Sequence, residues 1–365
     1  MQILELFKKL IESKSETPDD GGLLDFIEQY LPDFSAKRID IEDTKNLFIY
    51  KKFSEGDHLC FAGHVDVVPA GNNWDTNPYE LVEKDGYLYG RGTQDMKSGV
   101  AAFTQAVKET TNFKGTLSLL LTSDEEGEAT HGTIKVLQYL KEIDFLPDSV
   151  VVAEPTCEEV FGDAIKVGRR GSINGYITLK GKQGHAAYPE KAINPIHNIA
   201  GVLSNMAGID IDNGDAFFSP SKFVITDIRS GMQVTNVTPN ELKMMFNVRN
   251  TTLTTQKEVR DFVQKHLGAF DYELKLTQGS YPFRTNTDTK VVKNIDDAIE
   301  SVTGVKPKHS TAGGTSDARF VAQFGVEVIE FGVKNDTIHA VNERTSAFEV
   351  ESLYKVFKQL IKTWE

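Results

Sequence analysis

The chain has 365 residues, more than a single hydrophobic core usually supports, so two domains are expected. Its composition, 39% hydrophobic and 25% charged, is typical of a soluble globular protein and excludes a largely disordered one. The formal net charge of -13, without any block of Lys and Arg, argues against a nucleic-acid partner and against an anionic membrane surface.

Cysteine usage and the first residues indicate the cellular compartment. Cys60 and Cys157 form neither a CxxC motif nor a disulfide framework, as expected in a reducing cytoplasm. The first nine residues alternate with a helical period and lack the apolar core of a signal peptide. No apolar run approaches the ~18 residues of a membrane span. We therefore expect a soluble, cytoplasmic protein.

Hydrophobic periodicity predicts alternating helices and strands in the first half of the chain. The predicted elements are helices Ile3–Ile11 and Gly22–Leu31, strands Leu47–Tyr50 and Leu59–Val65, helix Val100–Lys108, strand Thr116–Ser123, helix Thr133–Lys141 and strand Val150–Ala153. This alternation is typical of an α/β domain with a mixed, mostly parallel sheet and helices on both faces.

The pattern changes near Gly171 to the order strand, helix, two strands, helix, strand, which predicts a ferredoxin-like α+β domain. Its predicted elements are Ser172–Gly181, Ile196–Met206, Lys222–Arg229, Leu242–Arg249, Glu258–Leu267 and Tyr272–Thr277. The last predicted elements are helices Asp288–Val302 and Ser316–Phe324, strand Val326–Phe331 and helix Phe348–Trp364. We therefore predict one domain of residues 1–170 and 284–365, with residues 171–283 inserted as a second domain.

Acidic side chains gather where predicted strands of the first domain end. His64 and Asp66 lie two residues apart at one strand end, so both point to the same side, although such a pair is more often an ordinary hydrogen-bonded pair. Glu125 and Glu126 follow the next strand, and Glu154 follows another. Open α/β sheets bind ligands beyond the carboxyl ends of their strands. Carboxylates that repel one another there favour a bound cation.

Five stretches together resemble the M20 family of di-zinc peptidases and deacylases, in order and spacing, over essentially the whole chain. They are Gly63–Asp66, Gly92–Gly99, Asp124–Gly127, Ala153–Pro155 and Ile338–Asn342. Three further stretches, Gly90–Lys97, His185–Pro189 and Gly313–Phe320, are most similar to bacterial members of the family. Those members hydrolyse N-succinyl-LL-2,6-diaminopimelate to succinate and LL-diaminopimelate in lysine and meso-diaminopimelate biosynthesis.

The resemblance implies two Zn²⁺ per subunit, with Co²⁺ or Mn²⁺ as alternatives. His64 and Glu154 would hold one ion, Glu126 and His339 the other, and Asp95 would bridge the two. Imidazole nitrogen and carboxylate oxygen are ligands that zinc prefers, so the residue types suit this division. The first domain would be the zinc-binding catalytic domain, and the inserted domain would form the interface of a homodimer and a lid.

The resemblance also implies catalytic roles for Asp66, Glu125 and His185. Asp66 would fix the His64 ring through its carboxylate, and Glu125 would be the general base and acid for attack by a metal-bound hydroxide. His185 would reach the neighbouring subunit's site and stabilise the oxyanion. As an isolated residue, His185 is better explained as a turn histidine.

Arginines are the candidate clamps for the carboxylates of an anionic N-acyl amino acid, because guanidinium pairs bidentately with carboxylate. Arg169 and Arg249 are predicted to bind the substrate, whereas Arg170 is equally well explained as a partner of backbone or surface groups. Three more residues are predicted to add hydrogen bonds: Asn236, Gly314 and Thr315.

The remaining histidines are given no role in the reaction. His131 and His197 are predicted to be non-catalytic, and His58, His266 and His309 are predicted to lie on the surface. The peptide bond from Asp95 to Met96 matches the position of a non-proline cis bond in the family.

Three other functions deserve comparison. Another deacylase or peptidase of the same family, such as an acetylornithine deacetylase or a dipeptidase, has the same ligand set and cannot be separated by it. A non-catalytic descendant is expected to have lost a ligand or the base, yet every one of these positions keeps a suitable residue type. A nucleotide-dependent enzyme is excluded, because Gly90–Asp95 is not GxGxxG and no Walker motif occurs.

Overall fold

The computed structural model describes residues 2–364 and divides into two compact units. The first unit comprises Met1–Gly168, Arg284–Ser310 and Ser316–Glu365, and the second comprises Arg169–Phe283 and Thr311–Thr315. Met1 and Glu365, which the predicted first domain includes, lie outside the described residues. The short segment Thr311–Thr315 groups with the second unit, whereas the sequence-based division leaves it in the first.

Helices and strands alternate along the described chain. Before the second unit they are α1 (Ile3–Ile11), α2 (Leu23–Tyr30), β1 (Ser35–Arg38), β2 (Asn46–Lys52), β3 (Asp57–His64), β4 (Val82–Lys84), β5 (Tyr87–Tyr89), α3 (Lys97–Lys108), β6 (Gly115–Thr122), α4 (Thr133–Glu142), β7 (Ser149–Val152), β8 (Ala164–Lys166) and β9 (Gly168–Arg169). Next come β10 (Ser172–Lys180), β11 (Gly184–His185), α5 (Pro195–Ala200), β12 (Phe223–Ser230), β13 (Val237–Thr238), β14 (Glu241–Val248), α6 (Gln256–Leu267), β15 (Tyr272–Ser280) and β16 (Phe283–Arg284). The last elements are α7 (Lys290–Thr303), β17 (Lys308–Ser310), α8 (Ala318–Gln323), β18 (Glu327–Glu330), β19 (Arg344–Thr345) and α9 (Ala347–Thr363).

One mixed sheet forms the centre of the first unit, with the strand order β1-β2-β6-β3-β7-β18-β8-β17. The pairs β6–β3, β3–β7, β7–β18 and β8–β17 are parallel, and the other three pairs are antiparallel. The central strands β6, β3 and β7 are buried along nearly their whole length. Such apolar runs are typical of parallel strands covered on both faces. The predicted mixed, mostly parallel sheet is confirmed.

Packing around β3 shows that helices cover both faces of this sheet. Phe61 packs against Phe103 of α3 and Phe357 of α9, with ring centroids 5.9 and 5.1 Å apart. His58 lies three residues earlier in the strand, so its side chain points to the opposite face. There its ring lies 5.0 Å from that of Phe145, which directly follows α4 and its C-terminal turn.

The second unit contains a four-stranded antiparallel sheet with the order β12-β14-β10-β15. Helix α5 lies between the first and second of these strands in the chain, and α6 between the third and fourth. This connectivity is that of a ferredoxin-like unit, as predicted. Alternate residues of β14 point into the core formed with α6, which explains the polar and apolar alternation in its sequence.

One predicted helix is wrong, and strand β1 is missed. A continuous helix is predicted for Ile196–Met206, but α5 ends at Ala200 and a separate 3-10 turn covers Leu203–Asn205. Gly201 stands at the end of α5, where its low helix propensity favours termination. Strand β1 is not predicted, because all but its last residue are exposed and no apolar alternation marks it.

The prediction that His58 lies on the surface is also wrong. Its side chain is only 7% exposed, and Nε2 lies 2.7 Å from the Ser118 hydroxyl oxygen. Burial lowers the pKa of His58 to about 4 from an ordinary 6.5. The fold therefore keeps this imidazole neutral over a pH range in which an unfolded chain would protonate it.

No helix among residues 2–364 combines the length and the apolar character needed to cross a membrane.

The neutral His58 makes folding stability depend on pH. As the pH falls below 6.5, the unfolded chain gains a proton at His58, whereas the folded chain gains it only near pH 4. The free energy of unfolding should therefore fall across this window, by at most ~3 kcal/mol from this residue. We expect His58→Gln to weaken the dependence of the free energy of unfolding on pH, measured by urea unfolding at several pH values. His197→Gln, at an exposed histidine, is the control and should leave that dependence unchanged. An equal pH dependence in wild type and His58→Gln would contradict the prediction.

Candidate active site

Three adjacent parallel strands bring several of the predicted site residues of the first unit to one edge of the sheet. His64 is the last residue of β3. Glu125 and Glu126 come shortly after β6 ends at Thr122, and Glu154 comes shortly after β7. Because β6, β3 and β7 run parallel and side by side, their carboxyl ends meet. The sequence pattern thus places these side chains together through ordinary sheet pairing.

Asp95 lies between two imidazole rings and directs one carboxylate oxygen towards each. Its Oδ1 is 3.1 Å from Nε2 of His64, and its Oδ2 is 3.4 Å from Nε2 of His339. Each histidine also has its own glutamate: His64 Nε2 is 3.8 Å from Glu154 Oε1, and His339 Nε2 is 3.0 Å from Glu126 Oε1. The peptide bond between Asp95 and Met96 is cis.

Potential ligand atoms crowd together closely enough for metal ions. Those of His64, Asp95 and Glu126 all lie within 4.8 Å of one another, and so do those of His64, Glu125 and Glu154. Imidazole nitrogens and carboxylate oxygens in such groups match the preferences of zinc. The donor set of this site therefore fits divalent cations.

The pKa shifts of the ionisable groups in the site are those expected where negative charge is in excess. Burial and the negative charges around it raise the pKa of Glu125 well above its ordinary value, and burial together with the charge of Asp95 raises that of Glu154. Hydrogen bonds to Asp95 and Glu126 raise the pKa of His339 to about 10. A divalent cation among these groups would stabilise ionised carboxylates and neutral imidazoles.

Asp66 contacts the His64 ring in a different way from that predicted. His64 Nδ1 lies 2.8 Å from the main-chain oxygen of Asp66, but 3.6 Å from its carboxylate Oδ1. The carboxylate instead accepts the main-chain N–H groups of Glu125 and Glu126, at 3.5 and 3.1 Å. Asp66 thus orients the ring mainly through its carbonyl, and its carboxylate fixes the turn that carries the two glutamates.

The buried charged residues near the site that have no predicted role include Arg91, Lys97 and Glu343. Lys97 donates hydrogen bonds to the main-chain oxygens of Leu10 and Ser13, both at 2.9 Å, and burial lowers its pKa to about 7. Arg91 donates to Glu343 at 2.7 Å. Their only signal in the sequence is their position within or directly after the stretches that resemble the M20 family.

The other predicted site residues belong to the second unit. His185 lies in β11 with an exposed side chain, and its Nδ1 accepts the N–H of Ala187 at 3.1 Å. Arg169 is buried and donates to the main-chain oxygen of Ala312 at 2.9 Å, within the loop that continues to Gly314 and Thr315.

Four more of these second-unit residues are exposed: Asn236, Arg249, Gly314 and Thr315. Asn236 also accepts the N–H of Ala186 through its main-chain oxygen, at 3.0 Å. This bond joins it to the segment that carries His185. Arg169 is likewise joined to the loop of Gly314, so four of the predicted residues form two local pairs.

Comparisons with known proteins agree with this architecture. Residues 60–363 match the model of peptidase family M20/M25/M40. Among curated relatives, the succinyl-diaminopimelate desuccinylase of Sulfurimonas denitrificans is 74% identical over 365 residues, which is 100% of either chain. The protein of the same name from Nitratiruptor sp. is 64% identical over 364 residues, again covering 100% of both.

Solved structures of low sequence identity share the fold. Aminopeptidase PepT from Bacillus cereus matches with a TM-score of 0.81 and 20% identity, over 99% of this chain and 97% of the other. The YXEP protein of Bacillus subtilis, described as a dinuclear metal-binding peptidase, matches with a TM-score of 0.73 and 15% identity, over 98% and 96%. From the match to the family model and the two full-length relatives, we conclude that the chain belongs to peptidase family M20/M25/M40.

Proposed function

We propose that this protein is a metal-dependent amidohydrolase that converts N-succinyl-LL-2,6-diaminopimelate to succinate and LL-diaminopimelate. The observation that carries the proposal is the meeting of two imidazoles and four carboxylates at one sheet edge. The substrate is proposed from the relatives named succinyl-diaminopimelate desuccinylase, which match this chain from end to end at 64% to 74% identity.

Two zinc ions per subunit would be held by the five nitrogen and oxygen ligands described above. His64 and Glu154 would hold one ion, His339 and Glu126 the other, and Asp95 both; the short distances among these side chains support this division. When bound, the ions would supply Lewis-acid activation of the water nucleophile and of the amide carbonyl. Cobalt is an alternative, since it accepts the same ligand types.

Glu125 is the residue that we assign to proton transfer. It takes a proton from the attacking water as the C–O bond forms, and it returns that proton to the amine nitrogen as the C–N bond breaks. Without metal, burial raises the pKa of Glu125. The positive charge of bound ions would oppose that rise and favour the carboxylate form, which can accept the proton of the water. The turn held by Asp66 fixes the main chain of Glu125.

The second unit would supply the substrate contacts and the homodimer interface. The substrate carries several carboxylates, while the protein has a net charge of -13, so local arginines are required to bind it. We assign Arg169 and Arg249 to these carboxylates. Asn236, Gly314 and Thr315 would add hydrogen bonds. His185 would donate to the oxyanion in the neighbouring subunit's site, for which its exposed imidazole is available.

The proposed place of action is the cytoplasm, in lysine and meso-diaminopimelate biosynthesis. Both cysteines, Cys60 and Cys157, are buried free thiols, and burial raises the pKa of Cys60 to about 12. Such thiols have little thiolate character, which suits them to packing in a reducing compartment.

The decisive experiment is succinate release by metal-free protein to which two equivalents of Zn²⁺ are restored. We expect release from N-succinyl-LL-2,6-diaminopimelate and no deacetylation of N-acetylornithine. Glu125→Ala should lower turnover by a factor of about 10² to 10⁴ without loss of zinc, because it removes the proton shuttle but no proposed ligand. The exposed neighbour Glu128→Ala is the matched control and should retain full turnover.

Each alternative predicts a different result in this experiment. Deacetylation of N-acetylornithine alone would keep the chemistry and replace the substrate. Bound zinc without activity on either compound would contradict the proposal and favour another amide substrate or a non-catalytic protein.

His185→Ala tests the oxyanion role. A lost oxyanion donor costs about 2.7 to 4 kcal/mol, so turnover should fall by a factor on the order of 10² while the zinc content stays at wild-type level. The exposed His197→Ala, in the same unit, serves as the control. Near-normal turnover of His185→Ala would remove this histidine from the mechanism.

Arg249→Ala tests the carboxylate clamp. Loss of a charge-assisted hydrogen bond costs about 1.5 to 3 kcal/mol, so KM should rise roughly 10- to 100-fold with little change in zinc affinity. Arg260→Ala removes an exposed arginine from α6 and should be silent. Unchanged KM in Arg249→Ala would refute its role as a clamp.

A further inference from the structure

A buried carboxylate organises the loop that carries Asp95. The side chain of Glu343 is buried, and each of its two carboxylate oxygens accepts two hydrogen bonds. Its Oε2 accepts the N–H of Gly92 at 3.0 Å and the guanidinium of Arg91 at 2.7 Å. Its Oε1 accepts the N–H groups of Gln94 and Asp95 at 2.8 and 3.2 Å. Three main-chain donors, those of Asp95 and of two residues shortly before it, therefore depend on one side chain.

Arg91 extends this arrangement to the loop that carries His339. Its NH2 group donates to the main-chain oxygens of His339 and Ala70, both at 3.4 Å, while NH1 donates to Glu343. Its guanidinium also lies over the Trp74 ring, 5.2 Å from the centroid. His339 has φ of 58°, a left-handed conformation that a non-glycine residue keeps only when its surroundings fix it.

Gln94 joins the same two loops at a further point. Its side-chain amide donates to Asp336 at 2.6 Å, and its side-chain oxygen accepts the N–H of Thr337 at 2.8 Å. The loops of residues 90–96 and 335–343 are thus fixed to each other through side chains, and each of them carries one proposed ligand.

We infer that the buried Arg91–Glu343 pair is a positioning device that sets the distance between Asp95 and His339, and with it the affinity for the ion held by His339 and Glu126. The inference rests on the proposed function, because it concerns the proposed metal centre. Through Asp95 the pair acts on both proposed ions, and through the main-chain oxygen of His339 it acts additionally on the second one. The pair should therefore matter less to the ion that His64 and Glu154 hold.

Energetics favour positioning over simple stabilisation as the role of the pair. Burying an ion pair costs desolvation that its attraction often fails to exceed, so such pairs are poor sources of stability. Besides its bond with Arg91, Glu343 accepts hydrogen bonds from three main-chain N–H groups of one loop. Groups that orient metal ligands typically change metal affinity 10- to 100-fold when altered.

Glu343→Gln is the sharpest probe, because it preserves size and replaces one oxygen by a donor. In either orientation its NH₂ group faces two donors, so half of the network is lost. Zn²⁺ binding is measured by competition with a chromophoric chelator, and Co²⁺ absorption reports the coordination. We expect one ion to bind nearly as in wild type and the second to bind 10- to 100-fold more weakly. Excess Zn²⁺ should restore most of the turnover.

Asp163→Asn is the matched control for general damage. Asp163 is a buried carboxylate of the same unit that accepts the N–H groups of Glu158, Glu159 and Val160, but none of these is a proposed ligand. We expect this variant to lose thermal stability and to retain both affinities for Zn²⁺.

Two results would overturn the inference: wild-type affinity for both ions in Glu343→Gln, or equal weakening of both ions in parallel with Asp163→Asn. Wild-type protein that binds fewer than two ions would instead overturn the proposed metal centre, and the inference with it. If Glu343→Gln does not fold, Arg91→Lys serves, since it keeps the charge and loses the guanidinium fork that joins Glu343 to the main-chain oxygen of His339. Unchanged affinity for the second ion in that variant also overturns the inference.

Discussion

Crowding of like charge at one sheet edge is the constraint on which the rest of this structure depends. Asp95, Glu125, Glu126 and Glu154 would separate if their backbones were free, since carboxylates a few ångströms apart in a dry site repel strongly. Strand pairing holds three of them, because their strands end side by side. Two histidines and a network of main-chain donors offset part of the repulsion. The repulsion that these groups do not offset explains why the site suits divalent cations.

The sheet edge could be predicted because strand ends are visible in sequence. Three apolar runs followed by acidic residues identify β3, β6 and β7, and parallel pairing then brings His64, Glu125 and Glu154 together. Helix periodicity gave α1 with its correct ends, Ile3 and Ile11. The signals fail where no apolar pattern exists, as in the exposed β1, and where one glycine interrupts a helix, as at Gly201.

Other features could not be predicted from sequence because they depend on long-range contacts. Nothing local distinguishes Glu343 from an exposed turn carboxylate, and its partners lie about 250 positions away. The contact of the Asp66 carbonyl with His64 could not be predicted either, because every residue has a main-chain carbonyl and the residue type does not show which one is used. His58 was misassigned for a related reason: a polar residue in an apolar strand is buried when its face of the sheet is covered.

The discontinuity of the first unit has a consequence for biosynthesis. A nascent chain presents His64, Asp95, Glu126 and Glu154 early, but His339, Glu343 and helix α9 emerge only with the last part of the chain. Domains generally fold as units during translation. The acidic cluster is therefore synthesised before its second imidazole, His339, and before Glu343, the acceptor that organises the Asp95 loop. The complete ligand set exists only once synthesis has passed His339, about 275 residues after His64.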